Sequence, residues 1–264
     1  MEAAFDNVAE SYDTSFTDTL TGRYQRDQVW QHLDQNFPAE KTKRILEVNC
    51  GTGEDAIHLA RRGHEVVATD ISDKMIQIAM LKTPHDISNR LSFQQMNMLD
   101  IDILKPSGFD IIFSNFGGLN CLSPDQLNNF LDMISSLLNP NGRFVAVIMP
   151  KFCFMESLYF LFKLNFSKVF RRNTKEYLRV QLNDAILPIW YYTPKDIRLR
   201  LRAKGTVIQQ KGIGILIPPS YLDQKFSKFK RLMKFFGKVD ALVSNLAVTA
   251  NFSDHFLIDI EMKQ

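Results

Sequence analysis

Cysteine is scarce in this 264-residue chain: Cys50, Cys121 and Cys153, odd in number and far apart. That spacing excludes a disulfide framework and a C-x-x-C zinc site, and it implies a reducing compartment, so a cytoplasmic protein is expected. No stretch approaches the ~20 uninterrupted apolar residues of a membrane span. The first residues are acidic and polar, without the basic flank and apolar core of a secretory leader. Repeats and low-complexity tracts are absent. The five histidines form no metal-ligand spacing and no nucleophile triad, so no metal is expected.

What is present is ordinary globular material, 45% apolar and 23% charged, long enough for one sizeable α/β domain. The net charge of +3 hides an asymmetry: residues 1–150 hold 12 Lys/Arg against 20 Asp/Glu, and residues 151–264 hold 20 against 9. The shift near Pro150 marks the expected architectural boundary.

The chain is organised around Arg44 to Ala56. An apolar run (Ile45, Leu46, Val48) ends in a small-residue turn, and a helical pattern (Ala56, Ile57, Leu59, Ala60) begins at once. This reads as strand, glycine loop, helix, a nucleotide-binding turn. Before it, residues 1–40 form a helical cap, with a helix over Gly22 to Asn36. After it, strands are expected at Glu65–Asp70, Leu91–Met96, Phe109–Ser114 and Arg143–Met149, alternating with helices that begin near Ser72 and Pro124. Such alternation implies a parallel sheet wound on both faces, whose ligand lies beyond the carboxyl ends of the strands, where Asn49, Asp70, Asn97 and Asn115 fall. Beyond a core over residues 41–150, the alternation breaks into a phenylalanine-rich, basic insertion over 151–190. It resumes in residues 191–264 with a helix from Thr193, a strand Val207–Ile217, a basic amphipathic segment at about 221–250, and a last strand His255–Glu261. All four segments belong to one overall domain.

Gly51-x-Gly53-x-x-Ala56, with Asp70 ending the next strand, also fits a dinucleotide fingerprint. Charge separates the readings. A pyrophosphate needs the bare positive end of a helix, whereas Glu54 and Asp55 occupy its first turn and Glu47 precedes the loop. Those carboxylates suit a ligand with an ammonium and a sulfonium, such as S-adenosylmethionine, whose ribose would still use Asp70. A dinucleotide-dependent oxidoreductase and a purely structural turn stay open as alternatives.

Phe5 through Asp13, Leu46 through Asp55, Asp70-Ile71-Ser72, Phe109-Asp110 and Leu138 through Gly142 together resemble class I S-adenosylmethionine-dependent methyltransferases of the small-molecule type, related to those of ubiquinone biosynthesis. The resemblance implies a Rossmann-like seven-stranded mixed sheet in the order 3-2-1-4-5-7-6, with S-adenosylhomocysteine as the spent cofactor. By position it implies that Glu47, Asn49, Cys50, Gly51, Thr52, Gly53 and Asp55 surround the methionine end. The first forty residues read either as a plain helical cap or as one that closes over the cofactor, with Tyr12 and Arg26 reaching the methionine carboxylate. Asp70 would accept both ribose hydroxyls, Ile71 and Met98 would sandwich adenine, and Asn97 would meet its amino group. Met75, Leu99, Asn115, Phe116 and Gly117 complete the set. Two departures stand out: Asn49 replaces the motif's first glycine, and Asn97 a usual aspartate. Asn tolerates left-handed backbone angles, and its carbonyl oxygen can still accept from adenine.

For catalysis the candidates are His255, beside Asp254 at the start of the last strand, and Tyr191 and Tyr192; each has a bland reading as a packed residue. Methyl transfer needs alignment of nucleophile, methyl and sulfur, and a base only where the nucleophile arrives protonated. The expected acceptor is a small, apolar or aromatic metabolite. A non-enzymatic binder of the cofactor or its product is the alternative. The 151–172 segment reads first as a lid over the acceptor, second as core or dimer interface, and third as a basic face against anionic membrane. No nucleic-acid module is legible, and a monomer or homodimer is expected.

Overall fold

The computed structural model describes residues 2–104, 108–182 and 185–263. Its central sheet has seven strands: β1 (Arg44–Val48), β2 (Glu65–Asp70), β3 (Leu91–Gln95), β4 (Phe109–Ser114), β5 (Leu138–Ile148), β8 (Gly205–Ile213) and β9 (His255–Met262). The order is β3-β2-β1-β4-β5-β9-β8. β1 to β5 run parallel, and β9 pairs antiparallel with both β5 and β8. This is the expected Rossmann-like topology, with the last strand inserted beside β5. The two remaining strands, β6 (Leu178–Leu182) and β7 (Ala185–Ile189), form a separate antiparallel hairpin.

Eleven α-helices surround these strands among the described residues: α1 (Glu2–Asp6), α2 (Ala9–Tyr12), α3 (Leu20–Asn36), α4 (Glu54–Arg61), α5 (Asp73–Lys82), α6 (Pro124–Leu137), α7 (Phe154–Phe162), α8 (Phe166–Val169), α9 (Pro194–Leu201), α10 (Asp223–Phe226) and α11 (Lys230–Val243). Their starts are written in the chain. Ser123 and Thr193 both close capping boxes, with Gln126 and Asp196, and proline takes the first turn of α6 and α9. Two apolar layers sandwich the sheet. One holds Phe109, Phe130, Phe144 and Phe256; the other holds Val29, Ile45, Phe113 and Leu257.

Beyond shifts of a residue or two at element ends, three features differ from the sequence expectation. The turn Asn139 to Gly142 does not precede β5 but bulges from it: Leu138 already pairs with Phe109, Asn141 takes a φ of 59°, and pairing resumes at Arg143 opposite Ile111. β8 stops at Ile213 rather than Ile217 because Gly214, at a φ of 68°, turns the chain against Gln25. The hairpin within 151–190 was not anticipated. Pro188 sits in β7, which a two-stranded sheet tolerates because each strand has a free edge.

One buried ion cluster pins the sheet to α3. The fully buried Asp259 accepts from Arg143 Nε at 2.6 Å and Nη2 at 2.5 Å, and its Oδ2 lies 2.7 Å from His32 Nε2. Replacing Asp259 by alanine strands a guanidinium and an imidazole in the core, so Asp259→Ala should cost about 3 kcal/mol. A fall in Tm of roughly 5–10 °C follows for a domain of this size, measurable by calorimetric or circular-dichroism melting.

Candidate functional site

The carboxyl ends of β1, β2 and β4 open onto a cavity of ≈ 600 Å³. The β1 end turns through Asn49 (φ 54°), Gly51 (φ 53°) and Gly53 (φ 79°) before α4 begins. Gly53 cannot carry a side chain, since a Cβ there would lie 2.7 Å from that of Ala79. Asp70 at the β2 end fastens the turn: its Oδ2 accepts from the Gly51 amide at 2.8 Å, its Oδ1 from the Ser72 amide at 2.9 Å. Burial still raises its pKa against the pull of these amides.

Asn49 does more than replace a glycine. Its Nδ2 donates to the Asn115 carbonyl at 2.9 Å, and its Oδ1 accepts from Ser114 Oγ at 2.6 Å, which fixes the β1 end to the β4 end. The side chain lies so close over Gly118 that a Cβ at that position would overlap it.

The cap closes one side. The π-helical turn Asp13–Thr17 is bonded to the loop and to α5, with Thr52 Oγ1 donating to Asp13 at 2.6 Å and Lys82 Nζ bridging Asp13 (2.8 Å) and Glu54 (3.0 Å). Tyr12 sits against Gly51, and burial pushes its hydroxyl pKa up to about 12. Arg26, buried between the rings of Phe16 and Phe116, has its Nε 3.2 Å from Asp55. Asp55 also accepts from Trp30 Nε1 at 2.6 Å and Asn115 Nδ2 at 2.9 Å.

These partners revise the charge argument made from sequence. Glu54 is answered by Lys82, and Asp55 by Arg26 and two neutral donors, so neither presents a bare charge to the loop. Glu47 remains. Burial, with Asp55 beside it, drives its pKa well above the ordinary value, and its Oε2 has no hydrogen-bond partner. Arg26 Nη1 is likewise buried and unpartnered. An orphaned acceptor and an orphaned donor near one another are the complement of an amino acid's ammonium and carboxylate, so the residues fit the methionine end of S-adenosylmethionine. Neither lies on the cavity wall; Tyr12 and Phe116, which do, lie against Arg26.

Of the other residues singled out from sequence, Asp70, Ile71, Met75, Asn97, Met98 and Gly117 line the cavity, as do Asn49, Gly51 and Asn115. Cys50, Thr52, Gly53, Asp55 and Leu99 do not. Cys50 is buried in the core layer shared by α3 and α4, and burial lifts its thiol pKa. Asn97 Oδ1 already accepts from the Leu99 amide at 3.0 Å, and Leu99 packs into the opposite core layer. Tyr191 and His255 line the cavity, whereas Tyr192 is buried in the core with its hydroxyl donating to the Leu122 carbonyl at 2.5 Å.

The far end of the cavity holds a network that the sequence did not announce. Arg172, wholly buried, donates Nε to Glu156 at 2.8 Å and Nη2 to Asp254 Oδ1 at 2.7 Å. Gln25 Nε2 donates to Asp254 Oδ2 at 3.0 Å, and His255 Nδ1 lies 3.3 Å from the same oxygen. Burial raises the Asp254 pKa, but His255 and Arg172 outweigh it and hold the carboxyl well below its usual range. Arg171 and Tyr221 both donate to Glu156 Oε1, at 2.5 and 2.6 Å. Only the pairing of Asp254 with His255 had a signal in the sequence, their adjacency; Glu156 and Arg172 come from a segment with no legible motif.

Residues 45–142 match the family model of a methyltransferase domain. Those residues form a methyltransferase domain. A demethylmenaquinone methyltransferase of Clavibacter sepedonicus is 31% identical over 146 residues, 55% of this chain and 56% of that protein. A magnesium-protoporphyrin O-methyltransferase of Rhodobacter capsulatus is 28% identical over 64% of this chain and 75% of its own length. The chain thus spans little more than half of the first of these relatives. The likeness of fold extends beyond the matched region: the magnesium protoporphyrin IX methyltransferase of Synechocystis, solved with S-adenosylmethionine, superposes with a TM-score of 0.53 over 92% of this chain and 79% of that one at 13% identity.

Glu47 makes a pH-dependent prediction. Its folded pKa is raised, so the folded state binds its proton more tightly, and the stability this contributes is full below the unfolded value of 4.5 and is lost as pH rises through the folded value. Glu47→Gln removes that dependence. The Tm of the variant relative to the parent should therefore climb between pH 5 and pH 8, with weaker binding of S-adenosylhomocysteine in calorimetry.

Proposed function

We propose that the chain transfers a methyl group from S-adenosylmethionine to a small, largely apolar or aromatic acceptor by in-line displacement. One observation carries this reading: a single cavity runs from Asp70, at the end of β2, to Tyr191 and His255, at the opposite side of the sheet ends. It is large enough for a cofactor and an acceptor to share. When bound, the cofactor supplies an electrophilic methyl on a sulfonium.

The rest is alignment by this chain. Asp70 accepts the ribose hydroxyls, Ile71 and Met98 flank the adenine, and Asn97 meets its amino group. Glu47 takes the ammonium, and Arg26 with Tyr12 the carboxylate. Phe116, held at a φ of 43° between Phe16 and His255, with ring centroids 5.1 and 5.4 Å away, forms the wall between cofactor and acceptor. Backbone held in that region costs about 1–3 kcal/mol and persists where the surroundings enforce it. Phe5, Leu122, Leu187 and Ile189 make the acceptor end apolar. It excludes water from a displacement that water would compete for.

Where the acceptor's nucleophile is protonated, His255 is the base. Asp254, kept ionised, faces its Nδ1 and leaves Nε2 to take the proton. The names of the relatives, demethylmenaquinone and magnesium-protoporphyrin methyltransferases, support an acceptor with a large apolar body. The dinucleotide reading has lost its ground, because the glycine turn lies within the methyltransferase match.

Calorimetry with S-adenosylhomocysteine and with NAD tests the cofactor: heat from the first alone is expected, and heat from NAD alone overturns the reading. Turnover is followed with radiolabelled S-adenosylmethionine on a demethylmenaquinol and on magnesium protoporphyrin. His255→Ala should lower it about 100-fold or more with S-adenosylhomocysteine affinity unchanged; undiminished turnover removes His255 from the mechanism.

A further inference from the structure

Two segments absent from the family match carry apolar side chains that the fold leaves in solvent. On α7, α8 and the turn between them, Phe162 is 78% exposed, Leu164 75%, Phe166 65%, and Phe170 follows at 64%. On and just before α11, Phe229 and Phe235 are each 60% exposed, and Leu242 80%. Exposed phenylalanines and leucines in such number are not surface noise.

The charges among them are of one sign. Lys163 and Lys168 are interleaved with the first group, and Lys228, Lys230, Arg231, Lys234 and Lys238 with the second. Residues 157–175 contain no carboxylate at all, and residues 226–253 contain only Asp240. That one is buried, accepting from Gln28 and from the Leu216 amide.

Side-chain contacts join the segments. Tyr159 of α7 meets Phe226 of α10 at 6.4 Å between ring centroids, and Tyr221 reaches Glu156 of α7. Phe152 lies against both Phe170 and Phe252. The same junction borders the cavity, because Arg171, Val180 and Tyr221 line its wall and Val180 and Tyr221 are themselves exposed.

We propose that this face docks on an anionic lipid bilayer, with the acceptor end of the cavity opening toward the lipid. Phenylalanines and leucines enter the headgroup and acyl boundary, while the interleaved lysines meet lipid phosphates. The charge pattern chooses the occupant. A second copy presenting the same face would set cations against cations across an isologous contact. A nucleic acid would satisfy the lysines but has no use for exposed leucines. The docking stands by itself; that the acceptor is drawn from the bilayer rests on the methyltransferase reading.

Co-sedimentation with vesicles tests it, using the full chain with phosphatidylglycerol vesicles and with pure phosphatidylcholine vesicles at 50 mM and 500 mM salt. Binding to phosphatidylglycerol at low salt is expected, at least tenfold weaker at high salt and on phosphatidylcholine. The double variant Phe162→Ser/Phe166→Ser and the charge reversal Lys163→Glu/Lys168→Glu alter only exposed side chains. Each should weaken vesicle binding about tenfold or more while leaving Tm and S-adenosylhomocysteine affinity unchanged, so a failure here is distinct from a failure of the cofactor reading. No pelleting with phosphatidylglycerol at low salt overturns the proposal. So does binding indifferent to both variants, a doubled mass by light scattering that the variants abolish, or a polynucleotide shift without vesicle binding.

Discussion

Everything at the cofactor end depends on one buried carboxylate. Asp55, in the first turn of α4, gathers Trp30 and Arg26 from α3 and Asn115 from the end of β4. It thereby holds the cap, the glycine turn and the wall of the cavity in one arrangement. A carboxylate at a helix N-terminus is favourable in itself. Here it is also desolvated, which makes each donor it holds expensive to lose. Asp254 has the same task at the other end. It draws Gln25 of α3, Arg172 of the insertion and His255 of β9 onto two oxygens. The segments before and after the family match are thus fastened to the sheet by aspartates at its two sides, and α3 contributes to both.

The sheet was legible because its signals are local and periodic. β2 and β4 have the limits that their apolar runs suggest, and α6 begins where Ser123 and Pro124 place it. The glycine turn was equally readable, since strand, positive-φ residues and helix follow within a dozen positions. Legibility failed where a residue's meaning depends on a distant partner. Glu54 and Asp55 read as bare charges until Lys82 and Arg26 came beside them. Tyr191 and Tyr192 are indistinguishable as neighbours in sequence, yet one faces the cavity and the other fills the core, as alternation along an extended chain requires. The network of Glu156, Arg171, Arg172 and Tyr221 spans 65 residues of sequence and has no motif at all.

The basic half of the chain also acquires a physical meaning. Among the described residues, Lys204 of this half pairs with Asp132 of the first 150, whereas the ion pairs inside the first 150 residues are largely made among themselves, Lys82 with Asp13 and Glu54, Arg26 with Asp55. Arg172 is spent internally, while the lysines of α8 and α11 stay in solvent among aromatic rings. The asymmetry of charge is therefore an asymmetry of surface, concentrated on α7, α8, α11 and the turns beside them.

The contact between Asn49 and Gly118 reaches further than one structure. The asparagine occupies the volume that a side chain at 118 would need, and 118 must stay bare for as long as 49 is large. Neither residue is free to drift alone. Reverting 49 to the motif's glycine would open a void over 118 and release Ser114 Oγ and the Asn115 carbonyl, and enlarging 118 first would force the turn apart. In lineages that share this turn, the two positions should change together, so that they record a single inherited event in two places.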